Sequence, residues 1–342
     1  MKIGRIIGTN AVIEENRAAL GGITYPKLAL YTLLVYLLGN FIASAIIIVP
    51  TMIFYLNSPE FNEFVASGIT DYREAAEAIA SIKLPDWLGA VTLFATVGTV
   101  VSALIVGLKI EKRRPFGMGL VKSGAALEYL IGLAVGTVLF AAAFGIGLIS
   151  GEYRVGGLSG DSLLPWLPIY FVGFMVQGAS EELLMRAFFT VSASRARGGV
   201  PVAVLLNGLL FAALHLGNPG MNVLSFVNLF LFGVFAAIYF IRRGSIWGIA
   251  AVHTAWNFVQ GNVFGALVSG GSYGPSVLTA EYASGTLFSG GSFGPEGGLG
   301  VTIALVIGIA LITLMKNKKV VPPEYTVSGQ SAGFSFDSGD DR

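Results

Sequence analysis

Two carboxylates and a guanidinium stand within six residues of one another in a stretch that is otherwise apolar. The run Ser180-Glu181-Glu182-Leu183-Leu184-Met185-Arg186 lies inside the apolar segment from Leu163 to Val191. A charge at the centre of a membrane helix costs roughly 2.5–3.5 kcal/mol, so ionisable groups in such places mark functional sites by default. On a helix Glu182 and Arg186 are i and i+4 and can pair. Glu181 is turned about 100° away from Glu182 and has no such charged partner on its own helix. It is the carboxylate left for a water, a metal ion or a proton. The alternative, that the three charges only fix helix packing, is expensive for a buried set.

The chain has two histidines, His215 and His253, and each falls in a later apolar run. Phe211 precedes the first by four residues and Asn257 follows the second by four, one helical turn on the same face. A neutral imidazole binds a divalent metal or accepts a proton, and an asparagine amide donates to a developing oxyanion. Glu181, His215 and His253 would also make a three-ligand zinc site with one open position. The H-E-x-x-H helix signature is absent, so any such site would be assembled from separate helices. Asn207 shares the face of Phe211 and His215 and is placed to orient the imidazole. Ser180 has neither a G-x-S-x-G setting nor a histidine close in sequence, which ranks a serine nucleophile low.

The elements that must bring these residues together are membrane helices. Of the 342 residues, 54% are hydrophobic and only 12% charged, with a mean hydropathy of +0.74. Soluble domains carry about 25% charge, and runs near twenty apolar residues suffice to cross a bilayer. The expectation is an all-α, polytopic membrane bundle of eight spans in a multi-pass cell-membrane protein. The spans are Leu28–Phe54, Leu88–Leu108, Leu127–Ile149, Leu163–Val191, Pro201–Leu216, Val223–Ile241, Ile246–Val268 and Leu299–Met315. Sixteen of the 21 basic residues then fall in segments on one side, among them Lys112-Arg113-Arg114 and Arg242-Arg243. Only Arg73, Lys83 and Arg154 fall on the other, so both termini are expected in the cytoplasm. Ala43-Ser44-Ala45 resembles a signal-peptidase tripeptide, but apolar sequence continues through Val49, which reads as a retained first span. A net charge of +1 argues against a nucleic-acid partner. The absence of cysteine rules out disulfides and a thiolate nucleophile.

Three connections stand out. Helical spacing in Asp71–Lys83 predicts a short surface helix. Pro201–Leu216 is short for a span, so the chargeless turn Gly217–Met221 is expected at membrane depth, lining a cavity. In the Gly-rich outer loop, SGGSYGP at 269–275 recurs as SGGSFGP at 289–295, which suggests a flexible or re-entrant connection. The organisation expected is a cytoplasmic segment 1–27, two N-terminal spans 28–111, a core 112–268, the loop 269–298, a last span 299–315 and a disordered cytoplasmic tail 316–342.

Glu181-Glu182-x-x-x-Arg186, Phe211-x-x-x-His215 and His253-x-x-x-Asn257, in that order on consecutive apolar helices, resemble the three motifs of the CPBP family. These are the CAAX-protease and bacteriocin-processing (Abi) intramembrane endopeptidases. Arg113-Arg114 followed by Gly117-Met118-Gly119-Leu120 is similar to the basic segment that precedes the family's core, so the resemblance spans 112–263. It implies a peptide bond hydrolysed in a membrane-associated protein or peptide at the lipid bilayer. Glu181 would activate water with help from His215. His253 and Asn257 would stabilise the oxyanion or hold a metal, with Glu182 and Arg186 as the supporting pair. Both a zinc-dependent and a metal-free mechanism fit these residues. The competing readings are a non-enzymatic immunity or scaffold protein and a proton-coupled transporter. No internal repeat of the kind common in transporters is evident.

Overall fold

The computed structural model describes residues 7–82, 84–158, 165–282 and 285–322, together with 326–327 and 330–331. Helices stand at all eight expected positions. They are preceded by α1 (Ala11–Leu20), in which Asn10 accepts a hydrogen bond from the amide of Ile13. The first long helix is α2 (Tyr25–Asn57), followed by the short α3 (Pro59–Ser67) and α4 (Tyr72–Ser81). The predicted surface helix is therefore present, capped by the Asp71 carboxylate on the amides of Arg73 and Glu74. The second expected span is α5 (Asp86–Ala95) and α6 (Val97–Leu104), which run as one apolar helix to Ile110. The third is α7 (Ala125–Ile149).

The fourth begins as α8 (Trp166–Glu182), widens into a π-helix over Leu183–Thr190 and closes as α9 (Val191–Ser194). Its expected first residues, 163–164, lie outside the described residues. Then come α10 (Gly199–Leu214), α11 (Val223–Arg243), α12 (Ile246–Phe258) with a π turn Val259–Val263, and α13 (Leu299–Leu314). Four helices are long and apolar enough to cross a membrane unaided: Tyr25–Asn57, Asp86–Ile110, Ala125–Ile149 and Val223–Arg243. Exposed Leu30, Leu33, Leu37 and Phe41 on α2 are what a lipid-facing helix presents.

One expectation is corrected. The fold is not purely helical, because β1 (Tyr153–Leu158) pairs antiparallel with β2 (Leu278–Tyr282), Tyr153 opposite Tyr282. This ribbon ties the loop after α7 to the Gly-rich loop. That loop is also no loose tether. The Glu152 carboxylate accepts from the amides of Phe288 and Ser289, both at 2.8 Å. The two copies of the repeat meet, Gly270 N donating to Phe293 O at 2.9 Å. A Cβ at Gly270 would sit 2.1 Å from Pro219 O, so only glycine lets the first copy rest on the Gly217–Met221 turn. Most of the tail expected to be disordered lies outside the described residues; within it Thr326–Val327 pairs with Gln330–Ser331.

The core is built by close helix approach. Gly132 and Gly136 on α7 face the backbone of α12, where a Cβ would lie 2.1 Å from Gly248 O and 2.3 Å from Val252 O respectively. Small residues four apart let membrane helices touch backbone to backbone. Gly132→Val should therefore force the helices apart, lowering stability by about 1–3 kcal/mol. Thermal unfolding in detergent, with Gly145→Val as the control, checks this; Gly145 has open space around it.

Candidate functional site

Polar residues from each of the three motifs converge on one cavity of about 310 Å³. Glu181, His215, His253 and Asn257 all line it, with Phe174 and Trp256 among its apolar walls. The side near the N-terminus is formed by Tyr36 and Asn40 of α2 and by Thr99 of α6. Those two helices are held together by Ser102 Oγ donating to Val35 O at 2.7 Å.

Helix α8 carries the two glutamates onto α12 because Gly178 sits against it. A Cβ there would lie 3.1 Å from Ala250 O and Thr254 N. From this approach Glu182 turns inward and Glu181 turns to the cavity. Glu182 is fully buried, and its Oε1 accepts from Arg186 Nη1 at 2.8 Å. The same oxygen lies 2.8 Å from His253 Nδ1. A carboxylate at Nδ1 fixes the proton there and leaves Nε2 to face the cavity. Nε2 lies 3.8 Å from Glu181 Oε2, too long for a direct hydrogen bond and a span that one water bridges.

Glu181 has a neutral partner on its own helix, an amide where the expectation concerned a charge. Gln177, one turn earlier, donates from Nε2 to Glu181 Oε1, and its Oε1 accepts from Asn257 Nδ2 at 2.9 Å. The amide thus links the glutamate of α8 to the asparagine of α12. Only one of the two Asn257 amide hydrogens is used in this bond, so the other is free to donate.

His215 caps the end of α10. Its Nδ1 is 2.7 Å from Phe211 O, which as an acceptor fixes the proton on Nδ1 and leaves Nε2 with a lone pair. The short α10 followed by the irregular turn is what brings this ring to the cavity, where Asn218 of the turn also lies. The expected cavity-lining turn is therefore found. Phe211 is the apolar hub of the site. Its ring centroid stands 4.7 Å from that of His215 and 6.2 Å from that of His253, and the Arg186 guanidinium lies 4.9 Å above it, a cation–π arrangement.

Asn207 does not orient the imidazole. Its Nδ2 donates to Met185 O at 2.7 Å and to Thr190 Oγ1 at 2.8 Å. Met185 O lies in the widened π turn and also accepts from Thr190 Oγ1 at 2.8 Å, so Asn207 serves the helix of the glutamates from α10. Arg113 serves the same segment from outside the spans, donating from Nη1 to Ala187 O at 3.0 Å. Burial pulls its guanidinium down to about 10, and Glu111 beside it limits the fall.

Among the described residues no three His, Asp or Glu side chains form a group able to hold a metal ion. His253 commits Nδ1 to Glu182, and its Nε2 stands at 3.8 Å from Glu181. Sequence reasoning also left out Gln177 and the loop residues Ser269, Tyr273 and Glu296, all of which line the cavity.

Residues 163–259 match the family model of type II CAAX prenyl endopeptidases, Rce1-like. The matched segment holds all seven residues named from the three motifs, and Asn207 with them, but includes neither the Arg113–Leu120 segment nor the outer loop. No curated protein and no solved structure gives a significant match.

Proposed function

We propose, with the Rce1-like character of residues 163–259 as premise, that this protein hydrolyses a peptide bond of a membrane-associated protein or peptide inside the membrane. The family model supports an intramembrane endopeptidase of the CAAX type in general. The observation that carries the finer reading is the convergence of Glu181, His215, His253 and Asn257 on one cavity.

In this reading a water between Glu181 and His253 attacks the carbonyl carbon of the scissile bond. Glu181 takes the water proton as general base, and the lone pair on His215 Nε2 helps to orient the water. Negative charge moves to the carbonyl oxygen, where the free Asn257 amide hydrogen donates to it. His253 lies between two carboxylates, so its Nε2 is a place to hold a proton beside the oxyanion. Collapse of the tetrahedral species breaks the C–N bond, and the proton held by Glu181 passes to the leaving amine. The low-dielectric walls around these groups strengthen each of these contacts. The chain would sit in the cell membrane with eight spans and both termini in the cytoplasm, the positive residues gathering on that side.

The test is quantitative mass spectrometry of protein termini in membranes holding either wild type or an equally abundant Glu181→Gln variant. Termini that appear only with wild type support the reading; identical termini refute it.

Gln177 is a positioning residue in this scheme. Gln177→Leu frees Glu181 and Asn257 together, and misplacing reacting groups by about 1 Å costs about 100-fold. The expected result is kcat lowered about 10- to 100-fold with KM little changed, measured on the substrate that terminus mapping identifies. A purely structural role would instead lower the amount of folded protein.

A further inference from the structure

The cavity contains a carboxylate that the hydrolytic scheme does not use. Glu296 follows the second copy of the repeat, in the 3₁₀ turn Pro295–Gly297. It is 8% exposed and lines the same cavity as Glu181. Its Oε2 takes every hydrogen bond recorded for the carboxylate, from Ser269 N, from Ser269 Oγ at 2.8 Å and from Gln260 Nε2 at 3.2 Å. Among the described residues Oε1 receives none. No lysine or arginine is among the residues lining this cavity.

A strap that merely closes the loop needs an acceptor, and a glutamine oxygen would serve. A buried carboxylate without a cation beside it is costly, so a carboxylate at this place calls for another use. Glu181 and Glu296 together give the cavity a negative potential, which low-dielectric walls concentrate. A ligand group that completes such a site brings positive charge. Three donors on one oxygen hold the group in place, so little rearrangement is needed to meet a cation.

We infer that Glu296 is a cation-accepting subsite of the cavity, which receives an ammonium or guanidinium group of the substrate peptide beside the bond that Glu181 attacks. This rests on the endopeptidase reading.

The experiment uses the full chain in proteoliposomes and membrane-anchored peptides built on the cleavage sequence found by terminus mapping. Lysine, norleucine and glutamate are placed in turn at each position flanking the scissile bond. Parallel peptides carry a free or acetylated amino end, and an acid or amide C-terminus. At one position lysine should raise kcat/KM about tenfold over norleucine, a difference of about 1.4 kcal/mol, and glutamate should lower it. A preference that follows the free amino end instead assigns the cation to the terminus. In Glu296→Gln the lysine-to-norleucine ratio should fall to within about twofold. A wild type with no cation preference anywhere overturns the inference while leaving the endopeptidase reading standing, as does a preference that survives in Glu296→Gln. The wild-type scan decides alone if that variant does not fold. No cleavage of any peptide by wild type overturns both.

Discussion

Glu181→Gln should abolish turnover while leaving a folded protein. The substitution keeps the shape and the acceptor oxygen, so Gln177 can still donate to it, but an amide cannot take the water proton. Loss of a general base costs roughly 10²–10⁴ in rate. The upper end is expected here, because Glu182, the other carboxylate beside His253, is fully buried, holds Arg186 and His253 on Oε1 and is not among the residues lining the cavity. Glu181 is the more exposed of the two glutamates, its side chain 29% accessible where that of Glu182 is 0%, so neutralising it leaves no buried cation unpaired. Thermal unfolding in detergent should stay within about 0.5 kcal/mol of wild type. The two measurements together separate a chemical role from a packing role. A stable Glu181→Gln protein that cleaves at the wild-type rate would remove Glu181 from the mechanism and leave the scaffold reading in its place.

Much of the helical frame was legible because apolar stretches of the right length have few other uses in a chain with so little charge. Both histidines, the glutamate pair and Asn257 could be singled out because polar groups are rare in such stretches. Gln177 escaped although a signal existed. It stands four residues before Glu181, the same spacing that identified Glu182 with Arg186, but a neutral amide carries no charge to draw the rule toward it. The widening after Glu182 has no local mark in Leu183–Thr190; the groups that bond its carbonyls, Asn207 and Arg113, come from elsewhere in the chain. Asn207 was read by its helical face alone, and its amide turned out to meet α8's continuation and not the imidazole. The ribbon and the ordered loop were hidden for a related reason. Their placement depends on long-range contacts, Tyr153 with Tyr282 and Gly270 with Pro219, which a Gly-rich repeat does not announce.

Arg186→Ala is the substitution expected to damage the fold most. Arg186 is wholly buried, donates to Glu182 and lies over the rings of Phe211 at 4.9 Å and Phe232 at 5.9 Å. Its removal leaves the Glu182 carboxylate buried with only His253 against it, and breaking a buried pair from one side costs about 3–5 kcal/mol. Lysine should rescue only part of this, because a point charge lacks the planar guanidinium that stacks on both rings. The double replacement Glu182→Gln with Arg186→Met removes both charges at similar volume. It should recover much of the stability, since an apolar or neutral pair avoids the desolvation cost, and the two effects should be far from additive. Cleavage should not return with the fold. A glutamine at 182 cannot give His253 Nδ1 a carboxylate, so the proton beside Glu181 loses its support. Unfolding midpoints and terminus assays on the three variants measure these outcomes separately. A double variant that regains both stability and turnover would mean that Glu182 and Arg186 serve packing alone.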